Sequence, residues 1–192
     1  MSNARILADL MGTSTTVPSS KLSLAAGDLP AGSQLQVQRT QFTGTNSYSI
    51  SSNTDTVITD LTVNITPTST SSVIRLDAMI NGEWSTMAHG TDAVWYFYRD
   101  STKLSHAAAG NRNVGILMGT AITYYADDAA STPEQAQYCY FDTPSTTSQI
   151  TYKVGVRMVT ASTWYLNRTV SDTDNGSWER GISFISATEI AG

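Results

Sequence analysis

Leu61 to Ile80, LTVNITPTSTSSVIRLDAMI, carries the clearest pattern in the chain. Leu61, Val63 and Ile65 alternate with Thr62, Asn64 and Thr66. Beyond a break, Ile74, Leu76, Ala78 and Ile80 alternate with Val73, Arg75, Asp77 and Met79. A period of two places one side-chain set on a buried face and the other outward. The intervening run Pro67 to Ser72 favours a turn, because proline fixes φ and short hydroxyl side chains bond the local backbone. The stretch therefore predicts a β-hairpin with a longer loop and one apolar face. A lone hairpin is marginal in water, so that face needs a second sheet to cover it.

The remaining pattern supplies strands for that cover. LQVQRTQF sets Leu35 and Val37 against glutamines, and SISSNTDTVITDL leads into the first hairpin. Ala93 to Asp100, AVWYFYRD, is the most aromatic strand, followed by a turn into KLSH. Asn113 to Asp127 reads as one long strand or two broken at Gly119. A second hairpin follows: QYCYFD, the turn Thr143 to Ser148, then ITYKVGVRMV. TWYLNRTV, the turn SDTDNGS and GISFISATEI close the domain. Eight to ten strands with regular turn signals predict an all-β fold, an antiparallel β-sandwich of jelly-roll type. The two Pro-Ser-Thr turns suggest a weak internal duplication, and no strand–helix alternation supports a parallel α/β fold.

The N-terminal stretch differs. In Ala4 to Met11, Ile6, Leu7, Leu10 and Met11 share one helical face and Gly12 stands at the C-terminal position. Eight residues cannot hold a helix alone in water, so this segment must dock on something. Residues 13–33 are rich in Ser, Thr, Gly and Ala and read as an extended arm. The predicted organisation is an attachment or oligomerisation arm over 1–33 and a β-sandwich domain over 34–192.

Charge and composition narrow the partners. Eleven basic residues against 16 acidic ones give a formal charge of −5, a poor match for nucleic acid. The apolar runs are too short for a membrane span, and the first residues lack a secretory signal core. Synthesis in a cytoplasm is the expectation. The single cysteine, Cys139, excludes an intrachain disulfide; placed mid-strand among aromatics, it is expected to be a buried small hydrophobe.

Candidate chemistry is sparse. His89 and His106 lack metal-ligand spacing, so no metal site or cofactor is expected. No nucleophile elbow occurs. Asp127 and Asp128 are adjacent carboxylates in a polar loop, a poor fit to the spaced pair of a glycosidase, and no enzyme is expected. Ser171 to Gly176 has the alternating oxygens of a calcium loop's start without its distal glutamate, and equally suits a tight turn.

Aromatics are abundant, and alternation puts Tyr96 and Tyr98 opposite Trp95 and Phe97, and Tyr138 and Tyr140 opposite Cys139 and Phe141. Such a second aromatic face suits a subunit interface. Attachment and oligomerisation are therefore assigned to Ile6, Leu7, Leu10, Met11, Tyr96, Tyr98, Tyr138 and Tyr140. Ligand contacts on loops are assigned to Trp84, His89, Asp127, Asp128, Asp174 and Trp178.

Four pieces, LTVNITPTSTSSVIRLDAMING, YCYFDTPSTTSQITYKVGV, WYLNR and ISFISATEI, together with ARILADLMGTSTTV and GSQLQVQRTQ, resemble a β-rich domain at the C-terminal end of tail-fibre and other virion structural proteins of bacteriophages, especially marine phages. The resemblance implies a virion surface protein, homo-oligomeric and expected to be a trimer, touching other virion proteins of tail or capsid and in some members the host surface. The arm is short for a fibre, so a capsid decoration protein is the alternative implied role. A carbohydrate-binding module that meets a host glycan is the further alternative. No catalytic residues carry over.

Overall fold

A computed structural model describes residues 29–85, 92–122 and 131–192. Twelve strands make up this part: β1 (Gln34–Phe42), β2 (Asn46–Ile50), β3 (Thr56–Ile65), β4 (Val73–Trp84), β5 (Val94–Arg99), β6 (Thr102–Leu104), β7 (Leu117–Met118), β8 (Ala121–Ile122), β9 (Glu134–Asp142), β10 (Ile150–Arg157), β11 (Ser162–Leu166) and β12 (Ser183–Ile190). They form two antiparallel sheets packed face to face. In the first sheet β4 is central, with β9 and then β8 on one edge; the other edge takes β12 and β1 along its first half, β11 and β2 along its second. The second sheet runs β3-β10-β5-β6, with β7 sharing the edge of β5. The pairs β1–β12, β3–β10, β4–β9 and β5–β6 are nested one inside the next, which is the pairing of a jelly roll.

Both expected hairpins are arches instead. β3 lies in the second sheet on β10, whereas β4 lies in the first on β9. The loops at 66–72 and 143–149 each cross from one sheet to the other, and the two arches stack. Alternation identifies the inward face of a strand but not its neighbour, and seven residues easily span the roughly 10 Å between sheets. The inward sets themselves are as expected: Leu61, Val63, Ile65, Ile74, Leu76, Ala78 and Ile80 are all 4% exposed or less. Of the strand predicted over 113–127, the described part, 113–122, holds the short β7 and β8, which belong to different sheets and flank Gly119 at φ 74°.

On β9 the outward and inward faces are exchanged relative to expectation. Tyr138 packs on Phe97 at 4.6 Å and donates its hydroxyl to the Tyr96 carbonyl, and Tyr140 lies against the same core. Cys139 is exposed rather than buried, and Phe141 is 57% exposed beside it. Both faces of QYCYFD carry bulky apolar atoms, so hydrophobicity alone does not choose between them; the register against β4 does.

Three tryptophans pin one end of the core. Trp84, Trp95 and Trp164 are each 0% exposed, with ring centroids 4.9 to 6.0 Å apart. Trp84 is therefore a core residue at the end of β4, not the loop contact expected of it. The Thr120 hydroxyl accepts both the Trp84 and the Trp95 indole N–H, at 3.1 and 3.2 Å. Thr120→Val keeps the shape and strands two buried donors, each costing about 1–3 kcal/mol. Chemical denaturation is expected to read a loss of about 2–4 kcal/mol.

At the opposite end, polar ties lock the arches. Asp142 on β9 accepts Arg99 Nη1 at 2.9 Å and the Tyr152 hydroxyl at 2.7 Å, joining the first sheet to two strands of the second. Glu189 is fully buried and accepts Gln36 Nε2, the Thr68 amide and hydroxyl, and the Ser72 hydroxyl at 2.6 to 2.8 Å. Burial alone would raise its pKa; the hydrogen bonds from Gln36, Ser72 and Thr68 outweigh that and hold it below its ordinary 4.5. A depressed folded pKa gives stability that is present above the unfolded value and lost as pH falls through the folded one. Glu189→Gln should thus be less stable at neutral pH, with a shallower acid limb below about pH 4.5 in pH-dependent denaturation.

Candidate functional site

Strand direction sorts the loops to two ends. The described chain enters at the arch end, where the Gly32 amide bonds the Ala191 carbonyl at 2.7 Å and the Ala191 amide bonds Ser33 at 2.8 Å. The far end, about 25 Å away along the eight residues of β10, carries the 51–55 turn, the 105–116 loop and Arg157. There the second sheet's outer side holds a recess of about 380 Å³ lined by Asn53, Lys103, Asn111, Arg112, Asn113 and Arg157.

The sequence builds this recess through one glycine. A Cβ on Gly155 would stand 2.4 Å from the Tyr96 ring, so Tyr96 lies flat across β10 only because that position is bare. Lys103 Nζ then caps the ring at 3.8 Å from its centroid and reaches Asp55 at 3.0 Å. Arg157 Nη1 approaches the same carboxylate at 3.5 Å, while its Nε donates to Asn113 Oδ1 at 2.9 Å. Burial would push Asp55 up, but hydrogen bonds from Lys103 and Tyr96 and the two positive charges outweigh it and hold its carboxyl below the usual range. Arg112 is exposed at the loop tip, bonded to the Ala109 carbonyl at 3.2 Å, and makes no ion pair among the described residues. Lys103, Arg112 and Arg157 line the recess and, among the described residues, Asp55 is the one carboxylate paired with any of them, which leaves the described lining net positive on an acidic protein.

A second feature is a buried acidic pair beneath the first sheet's far end. Glu83 and Glu134 are 1% and 2% exposed. The Glu83 carboxylate accepts the Thr132 and Val170 amides at 2.8 and 2.6 Å, fastening two loops. Glu134, opposite Gly82 in the ladder, has no hydrogen-bond partner on either carboxyl oxygen among the described residues. Burial first and the Glu83 charge second push its pKa up to about 8, against a smaller opposing pull from the Trp84 amide, which approaches without reaching hydrogen-bond geometry. It lines a cavity of about 200 Å³ together with Asn167, Arg168 and Arg180.

The expected site residues are scattered. Tyr96 is 0% exposed beneath Lys103, so it offers no interface surface; Tyr98 is half-buried edge-on to it at 5.5 Å. Tyr138 and Tyr140 face inward as described. Asp174 is exposed in the 171–176 loop, and half-buried Trp178 donates its indole N–H to Thr173 at 2.9 Å. In that loop Asp172 is held by Arg180 at 2.6 Å and Asn175 accepts the Ser177 amide at 2.9 Å, the bonding of a turn. Ile6, Leu7, Leu10, Met11, His89, Asp127 and Asp128 lie outside the described residues. Among the described strands, the large apolar side chains exposed on the outer face of the first sheet are Val37 and Phe141, in one row across Thr188 and Arg75.

Fold and site together define a class: a two-sheet jelly-roll β-sandwich with a polar, cationic recess at the end remote from where the described chain enters. No protein-family model matches the chain, and no curated protein sequence matches it. No helix among the described residues is long and apolar enough to cross a membrane.

Proposed function

We propose that this chain is a structural component of a bacteriophage particle surface, self-assembling as a homo-oligomer and attached through its N-terminal arm. The observation that carries the reading is the two-ended layout. The described chain joins the sandwich at the arch end, so a tether there leaves the far-end loops and their recess facing outward. The resemblance of the strand and arch segments to virion proteins supports the same reading. Self-association would use the outer face of the first sheet, where Val37 and Phe141 stand exposed, in place of the tyrosines, which are turned inward or covered.

Native mass measurement is expected to give a trimer; a monomer at working concentration would count against the reading. Removal of residues 1–12 should leave the sandwich folded while the protein disappears from purified particles. Particles that keep the truncated chain at normal copy number would refute attachment through the arm. The far-end recess favours a ligand-binding role in addition to an architectural one.

A further inference from the structure

We infer that the recess bounded by Asn53, Lys103, Arg112, Asn113 and Arg157 binds an acidic saccharide, one whose sugar rings carry carboxylate or sulfate groups. The inference deepens the surface-module reading above, because it assigns a ligand class to the outward end of the same body.

Three observations lead there. The first is charge. Lys103, Arg112 and Arg157 converge on one recess while, among the described residues, only Asp55 pairs with any of them, so an anion placed there meets surplus positive charge. Arg112 supplies a guanidinium with no carboxylate partner among the described residues, and Arg157 spends its Nε on Asn113 and shares Asp55 with Lys103. A guanidinium with open N–H groups is suited to carboxylate and sulfate oxygens.

The second is the polar lining. Asn53, Asn111 and Asn113 set amides around the cations, and each amide both donates and accepts. That combination matches hydroxyl groups, which do both, rather than a bare anion, which only accepts. The volume, about 380 Å³, falls within the range of about 300–1,000 Å³ usual for small-molecule sites.

The third is the surrounding field. A formal charge of −5 on the whole chain repels a densely charged polyanion, whose phosphates extend far beyond a screening length of about 8 Å. A ligand with sparse charges separated by neutral, hydroxyl-rich rings puts its anionic group in the recess and keeps the rest uncharged. The walls are also held in place before a ligand arrives. The His106 amide bonds the Gly115 carbonyl and the Ile116 amide bonds Trp95 at 3.4 and 2.7 Å, closing the neck of the 105–116 loop. Asn53, at φ 55°, is fixed by its amide on the Met158 carbonyl at 2.7 Å.

The full chain is titrated calorimetrically with four probes: a hyaluronan oligosaccharide, whose carboxylates alternate with neutral rings, a κ-carrageenan oligosaccharide, whose sulfates alternate with neutral rings, a neutral cello-oligosaccharide of matching length, and inorganic sulfate. At least one acidic saccharide should bind, and it should bind about tenfold or more tightly than the neutral one and than sulfate. Which of the two binds better tells a carboxylated from a sulfated ligand. Arg112→Glu, at an exposed loop tip, should weaken binding about tenfold or more. Asp55→Asn removes the competing charge and should tighten it, a direction that mere loss of structure does not give. Absence of binding, equal binding of the neutral sugar or of free sulfate, or indifference to both substitutions overturns the assignment. The readout uses free protein, so failure here is separate from failure of particle attachment.

Discussion

Glu134→Gln is expected to stabilise the fold by several kcal/mol at about pH 9 while changing little at about pH 4. The reason is the unpartnered carboxyl beside Glu83. Its folded pKa of about 8 lies above the ordinary 4.5, so the folded state holds a proton that the unfolded chain releases across the interval between them. Stability from this group is complete below the unfolded value and is lost as pH rises through the folded one. The interval corresponds to a loss on the order of 4–5 kcal/mol at its alkaline end. Glutamine has the same shape and cannot ionise, so its denaturation midpoint should stay flat where the parent's falls. Parallel urea titrations at three pH values test this. A parent whose stability is level from acid to alkaline pH would show that Glu134 does not carry the charge penalty assigned to it.

Gly82→Ala should be the most damaging glycine substitution within the described strands. An added Cβ would lie 2.2 Å from the Tyr165 carbonyl oxygen and 2.6 Å from the Trp164 ring. Neither can yield cheaply. The first is backbone in a strand paired to β4 at this point, and the second is wedged among Trp84, Trp95 and the sheet. The Trp164 indole N–H already lacks an acceptor among the described residues, so its position is set by packing against the bare glycine. We expect a loss of about 3 kcal/mol or more, with β11 and β2 released from the first sheet. Tryptophan fluorescence should redden as Trp164 meets water, and hydrogen exchange should rise over 46–50 and 162–166. Normal protection in those strands would overturn the account.

Much of the scaffold was legible from alternation alone, because period two is a property of one strand and needs no neighbour. Leu61, Val63, Ile65, Ile74, Leu76, Ala78 and Ile80 face inward as expected. Pairing was not legible, since β3–β4 and β9–β10 arches carry the same inward pattern as hairpins. The length of the 66–72 loop and its lack of an Asn-Gly pair were the available hints. Trp84 was misplaced because Gly82 and Glu83 interrupt the apolar rhythm just before it, and their roles, clearance for Trp164 and a pair of loop-fastening hydrogen bonds, exist only in three dimensions. The recess was missed for a similar reason. Asn53, Lys103, Arg112 and Arg157 are far apart in the chain, and only the nested topology brings them together. Few basic residues occur overall, so their convergence, rather than their number, is the signal.

The nested pairing also bears on how the protein is made. The outermost partners, β1 and β12, are the first and last strands of the described chain, so this ladder cannot zip up until β12 itself has left the ribosome. Until then the apolar side of β4 waits with one edge unpaired beside it. Closure of so many distant contacts is slow compared with helical domains, and chains cut short by premature termination would be sticky intermediates with open edges. A cell producing this protein in quantity therefore has reason to keep chaperones close to its translation.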